Sequence, residues 1–277
     1  MGKEHKASID GDQWAQCVRE RGWLWDVAAD VAGGTPVTLI LAHGAGAPMD
    51  SSFMNDMAAR LAGHGVNVLR FEFPYMAQRR VDGGKRPPNP APKLLETWRE
   101  VVAEVRRHVA GKLAIGGKSM GGRMASLLAD ELGADGLVCL GYPFYAVGKP
   151  EKPRTEHLAG LKTPTLIVQG ERDALGNRAA VEGYALSPSI EVMWLVAGDH
   201  DLKPLKASGF SHEQHLEAAA VKVGDSLGGC SGPFARQLPP PSASILRGAH
   251  GNLRDRDRLC ERSAAEITPD RGTRLLR

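Results

Sequence analysis

The sequence is short of three things, and each shortage removes a class of function. No apolar stretch in the 277 residues approaches the roughly 20 that a membrane-crossing helix needs, so an integral helical membrane protein is excluded. Met1 to Lys6 is charged with no apolar segment behind it, so no secretory signal is expected and the cytoplasm is the expected compartment. Cysteine is scarce: Cys17, Cys139, Cys230 and Cys260 form no C-x-x-C pair and have no histidine at metal-binding spacing. Neither a disulfide framework nor a metal site is expected; the four read as free thiols, with Cys139 in the core. Net charge is also lacking in the body. The chain carries +3, but from Ser231 onward nine arginines face five acidic residues, a surplus of 9 − 5 = +4, which leaves the first 230 residues at 3 − 4 = −1. A basic groove for nucleic acid is therefore not expected in the body.

With 42% hydrophobic and 24% charged residues, the composition is that of an ordinary globular protein. Short apolar runs alternate with segments of helical period. Strands are expected at 23–27, 37–42, 66–73, 112–115, 136–140, 165–169 and 190–196, and helices at 51–62, 94–109, 120–132, 177–184 and 212–221. Runs such as Val37-Thr38-Leu39-Ile40-Leu41-Ala42 do not alternate, as expected of strands covered on both faces. The pattern is α/β with a mostly parallel sheet. Asp50 or Ser51 is positioned to cap the first of these helices, and Ser211 with Gln214 spells a capping box for the last. Arg79 to Pro92 reads as a loop. After about Gly224 neither period persists, so residues 1–225 are expected to be the folded domain and 226–277 an Arg/Pro/Gly-rich disordered tail.

Gly117-Lys118-Ser119-Met120-Gly121 spells G-x-S-x-G between an expected strand and an expected helix. Such a turn lifts a serine hydroxyl above the sheet as a nucleophile. A Walker A reading fails by one residue, because the leading glycine would have to be at 112 and is at 111. A dinucleotide reading of Gly44-Ala45-Gly46 fails too, since Met49 stands where the third glycine is needed. A serine nucleophile needs a histidine to take its proton and a carboxylate to orient that histidine. Asp173 lies 173 − 119 = 54 residues on, in the turn after an expected strand. His200 follows 200 − 173 = 27 residues later in Gly198-Asp199-His200-Asp201. The order Ser, Asp, His and the placement after strands fit a hydrolase relay. The expected oxyanion donors are the backbone N–H of Met120 and that of Ala45, with Gly46 the alternative, in the loop His43-Gly44-Ala45-Gly46-Ala47. His43, Tyr75, Lys118 and Arg123 are candidate substrate contacts. For His43 loop shaping, and for the two cations solvated charge or ion pairing, are the competing readings. His212 and His215 read as surface residues.

The segments His43-Gly44-Ala45-Gly46, Arg70-Phe71-Glu72-Phe73-Pro74-Tyr75, Gly116 to Arg123, Gly148 to Lys152 and Gly198 to Asp201 together resemble the small α/β-hydrolase proteins akin to dienelactone hydrolases. The resemblance covers roughly residues 20 to 220 and is strongest to the branch holding bacterial hydrolase-like proteins and the testis-expressed and NSL-complex subunits of animals. It implies an α/β-hydrolase fold with a minimal cap or none and puts Ser119, Asp173 and His200 at the family's triad positions. Dienelactone hydrolases proper carry cysteine where this chain has Ser119. The expected activity is a cofactor-independent serine hydrolase of small esters, lactones or thioesters. The alternative is a catalytically silent protein-interaction module, against which the complete Ser, Asp and His count.

Overall fold

The computed structural model describes residues 11–29 and 36–228, all within one compact unit. Seven strands form one sheet: β1 (Leu24–Asp26), β2 (Val37–Ala42), β3 (Val66–Phe71), β4 (Leu113–Lys118), β5 (Gly136–Leu140), β6 (Thr165–Gly170) and β7 (Ile190–Leu195). Their spatial order is β1-β3-β2-β4-β5-β6-β7, and all neighbours are parallel except β1, which runs antiparallel to β3. The helices are α1 (Gly11–Arg21), α2 (Ser52–Gly63), α3 (Pro74–Asp82), α4 (Ala91–His108), α5 (Met120–Ser126), α6 (Arg178–Val181) and α7 (His212–Leu227).

Every residue of β2 is buried, because successive side chains enter different cores. Ile40 joins Trp98, Val102, Val105 and Met124 of α4 and α5, whereas Leu39 and Leu41 join Met54, Leu61, Leu216 and Ala220 of α2 and α7. This two-sided burial explains the non-alternating strand sequences. From β2 the chain steps outward to β3, then returns to β4 on the other side. The strand order therefore reverses between β2 and β4, the kind of switch point at whose carboxyl ends α/β sheets place their ligand sites. Ser119 follows β4 and His43 follows β2, so the topology brings the two loops together at that end.

The sequence expectations differ from the structure at particular places. Helices α1 and α3 were not expected. In α3, Phe73 supplies an extended residue before a proline in the first turn and Gly83 closes the helix at φ 69°, so residues 79–82 are helical where a loop was expected. The helix after Ser119 ends at Ser126 as an α-helix and continues only as turns to Gly133. Ser211 and Gln214 do form the capping box, and α7 runs on to Leu227 because Val223, Gly224 and Leu227 are buried. Ser51 flanks α2 but makes no side-chain cap bond. Of the tail expected at 226–277, all but the first three residues lies outside the described residues. Among the described residues no helix is long and apolar enough to cross a membrane.

Candidate active site

Strand β4 delivers Ser119 to a turn at φ 51° and ψ −115°, a left-handed conformation that costs a non-glycine residue of order 1–3 kcal/mol. The turn is held from both sides: the Ser119 N–H donates to Leu140 O at 3.0 Å and its carbonyl accepts from Arg123 N–H at 3.0 Å. Gly121 is required here by close approach. A β-carbon on it would lie 2.6 Å from both the Ala42 and His43 carbonyl oxygens, so any side chain would lift α5 off β2.

His200 reaches Ser119 from the loop after β7. Its Nε2 lies 2.9 Å from Ser119 Oγ and its Nδ1 lies 2.8 Å from Asp173 Oδ2. Because a carboxylate only accepts, the Nδ1–H donates to Asp173 and the Nε2 lone pair faces the serine hydroxyl. Asp173 is fully buried in the turn after β6, and its other oxygen accepts the Leu175 N–H at 2.8 Å. The histidine loop bends sharply, with Ala197 and Leu202 both at positive φ. It rests on Gly141, at φ 64°, where a β-carbon would sit 2.6 Å from the His200 carbonyl oxygen.

Gln169 was absent from the sequence expectations. Its side-chain amide is fully buried at the end of β6. Nε2 donates to Asp173 Oδ2 at 2.8 Å, to Tyr142 O at 3.1 Å and to Gly176 O at 3.1 Å, while Oε1 accepts the Tyr142 N–H at 2.6 Å. It thus fixes the same carboxylate oxygen that orients His200. The readable signal was a lone amide closing an otherwise apolar run, since a buried polar group persists only when its bonds are made. Gln169→Leu is expected to lower kcat roughly 10- to 100-fold with KM little changed, because a hydrogen bond to a charged group contributes about 1.5–3 kcal/mol. Steady-state kinetics beside a thermal melt would check this, and a KM rise with unchanged kcat would contradict it.

Several expected substrate contacts have other duties. His43 is buried, with Nδ1 donating to Gly44 O at 2.6 Å and Nε2 accepting the Phe73 N–H at 3.1 Å. Burial also lowers its pKa, so the neutral ring is the form that shapes the loop, and it presents no free nitrogen to a ligand. Tyr75 is likewise buried, donating its hydroxyl to Ala45 O at 2.9 Å and Gly44 O at 3.3 Å. Burial pushes its pKa up to about 12, which keeps it a donor. Lys118, the second residue of the pentapeptide, is buried too. Its Nζ donates to the His200 carbonyl at 2.7 Å, pairs with Asp201 at 3.2 Å and lies 5.3 Å from the Phe53 ring centre. It ties the end of β4 to the histidine loop and does not greet an anion. His215, expected at the surface, is buried and binds Leu202 O at 2.9 Å, while His212 binds Asp201 O at 2.9 Å; both secure that loop.

Arg123 sits one turn beyond Ser119 with its Nε buried and unpartnered. Its charge acts on His157, whose pKa is pulled down to about 4 by burial first and by Arg123 second. His157 Nε2 meets Ser126 Oγ at 2.8 Å and Tyr142 Oη at 3.3 Å, making a second serine-histidine pair. That pair lacks the features of the first. Ser126 is only 2% exposed inside α5 and bonds the Arg123 carbonyl at 2.8 Å, and among the described residues no carboxylate is bonded to the His157 ring.

Residues 35–227 match the alpha/beta hydrolase domain family, well over half of the chain. The chain belongs to that family. Its structural neighbours agree in fold. A lidless α/β serine hydrolase from Xanthomonas campestris superposes at a TM-score of 0.57 with 20% identity, covering 76% of this chain and 90% of that one. Est1E from Butyrivibrio proteoclasticus gives 0.55 at 15% identity over 74% and 94%. A dienelactone hydrolase from Anabaena variabilis gives 0.55 at 20% identity over 76% and 92%. At these identities the likeness speaks for the fold alone. Between β5 and β6 the chain runs through residues 141–164, whose only element is the short helix Glu156–Gly160.

Proposed function

We propose that the chain is a cytoplasmic serine hydrolase that cleaves small carboxylic esters, lactones or thioesters through an acyl-enzyme on Ser119, without a cofactor. The observation that carries this reading is the unbroken relay from Ser119 Oγ to His200 Nε2, and from His200 Nδ1 to the buried Asp173. In the first half-reaction His200 takes the Ser119 proton as Oγ attacks the acyl carbon, then gives it to the leaving alcohol or thiol. In the second His200 takes a proton from water, which attacks the acyl-enzyme, and the serine regains its proton as the acid leaves. Asp173 holds the productive tautomer and steadies the imidazolium formed in each half.

Oxyanion stabilisation is assigned to the N–H groups of Met120 and Ala45. Met120 is the first residue of α5, so its N–H has no partner within the helix. In a trans peptide the N–H points opposite to the preceding carbonyl. His43 and Tyr75 grip the Gly44 carbonyl and Tyr75 also grips that of Ala45, so the amides of Ala45 and Gly46 are turned away from both rings. Gly44 packs against Ser119, where a β-carbon on it would lie 3.7 Å from the serine Cβ. Tyr75→Phe is expected to reduce kcat about tenfold through loss of that grip, a fraction of the 10²–10³ for removing a donor outright. Pre-steady-state acylation rates would measure it; an unchanged rate would show that the loop holds without Tyr75.

The finer placement, in the branch akin to dienelactone hydrolases and to the testis-expressed and NSL-complex subunits, rests on the pentapeptide and its flanking motifs. Serine at 119 favours ordinary acyl esters over dienelactone as substrate. A panel of p-nitrophenyl esters, a lactone and an acyl thioester tests the reading. Turnover is expected for short acyl chains, and no turnover of any panel member would favour the silent interaction module.

A further inference from the structure

We propose that Cys17, Glu104 and His108 form a three-ligand site for a divalent transition-metal ion, with zinc the best match, that staples α1 to α4. Glu104 and His108 are four residues apart on α4 and therefore share a face. Cys17 approaches that face from α1. The three donor atoms, Sγ, Oε1 and Nε2, lie within 4.8 Å of one another. Cys17 Sγ is 3.8 Å and His108 Nε2 is 3.2 Å from the same Glu104 Oε1. Tetrahedral zinc, with bonds of about 2.3 Å to sulfur and about 2.0–2.1 Å to nitrogen or oxygen, has edges of about 3.5 Å (S···O) and about 3.3 Å (N···O). The two edges to Oε1, 3.8 Å and 3.2 Å, are within a few tenths of an ångström of those values, and the third edge is no longer than 4.8 Å. A thiolate, an imidazole and a carboxylate are also donors that zinc accepts together, and three protein ligands leave a fourth position for water.

The surroundings fit an ion on Oε1. The other oxygen, Oε2, accepts from Arg21 at 3.0 Å and Arg107 at 3.1 Å, which fixes the carboxylate as outer partners of a ligand do. Both arginine side chains are more than half exposed, at 51% and 71%, so water screens their repulsion of a cation. Trp14 of α1 lies over the His108 ring at 5.6 Å and 34° and holds its plane. The Cys17 thiol already points at the Glu104 carboxylate, to which it donates at 3.8 Å. Metal binding replaces protons: Cys17 loses its thiol proton to solvent and binds as thiolate, and His108 offers the Nε2 lone pair with its ring proton on Nδ1. The site lies before the start of β4, whereas Ser119 follows the end of that six-residue strand, roughly 20 Å along it. Its role is therefore structural. Cys17 and Glu104 are 87 positions apart, which is why no sequence spacing announced the cluster.

The test is Co²⁺ titration of the full chain, followed by the thiolate-to-cobalt charge-transfer band, beside thermal melts with and without Zn²⁺. One equivalent of Co²⁺ is expected to produce the band. Cys17→Ser should abolish it, His108→Asn should weaken Co²⁺ binding at least about tenfold, and the double variant Cys230→Ser/Cys260→Ser should keep it. Zn²⁺ should raise the Tm of the wild type and the double variant but not of Cys17→Ser, and hydrolysis of p-nitrophenyl acetate should be unaffected by any of these substitutions. No band in the wild type, a band that survives Cys17→Ser, or an equal Zn²⁺ shift in Cys17→Ser would each overturn the proposal. None of these readouts depends on Ser119 being a nucleophile.

Discussion

Ser119→Ala is expected to lower kcat/KM for p-nitrophenyl acetate by at least about 10⁴-fold, in line with nucleophile removal in serine hydrolases. The substitution deletes one oxygen whose bonded partner is His200 Nε2, 2.9 Å away, and it leaves the backbone bonds to Leu140 and Arg123 in place. Alanine has a β-carbon as serine does, so it meets the same strain at φ 51°. The Tm should therefore move little while turnover collapses. What remains would come from oxyanion donors and binding alone, a residual activity that water attack could use. If turnover persisted at more than a few per cent, the acyl-enzyme route would be wrong even with the fold intact.

Asp173→Asn should cost about 10⁴-fold in kcat, comparable to acid-to-amide changes in other serine hydrolases, and should also lower stability. The reason is a count of donors. Three groups point at the carboxylate: His200 Nδ1 and Gln169 Nε2 at Oδ2, and Leu175 N–H at Oδ1. An asparagine must turn its NH₂ toward one of these sets. Facing Oδ2's partners, it opposes Gln169 and forces His200 into the tautomer that cannot accept the serine proton. Facing Leu175, it preserves the tautomer but leaves a buried amide pair unsatisfied and provides no charge for the imidazolium. The unsatisfied donor costs about 1–3 kcal/mol, readable as a fall in Tm. Ser119→Ala should show the kinetic loss without that fall, and the contrast between the two variants separates relay chemistry from scaffold.

Much of this was legible in the sequence because it was written in short-range signals. The apolar runs at 37–42 and 165–169 marked doubly covered strands, and the glycines around Ser119 marked a turn where α5 meets β2 so closely that a β-carbon on Gly121 would lie 2.6 Å from the Ala42 carbonyl oxygen. The order Ser119, Asp173, His200 followed from their positions after strands. What was not legible depended on side-chain direction. Lys118 and Tyr75 have the chemistry of substrate contacts, yet the fold turns both inward to tether loops. Gln169 carried no motif, and its importance appears only once β6 ends beside Asp173. Helix α1 is mostly polar, with Trp14 its one buried residue, so no apolar run marked it. The Cys17, Glu104 and His108 cluster needed two helices from distant parts of the chain.

The central claim is that Ser119, and not the buried Ser126 beside His157, is the activated nucleophile. Fluorophosphonate labelling of the full chain, with the modified peptide identified by mass spectrometry, addresses it without knowledge of the natural substrate. The account predicts stoichiometric modification at Ser119, loss of labelling in Ser119→Ala and strongly slowed labelling in His200→Ala, because an unactivated serine does not react. An unlabelled wild-type protein, or a label on Ser126, would contradict it.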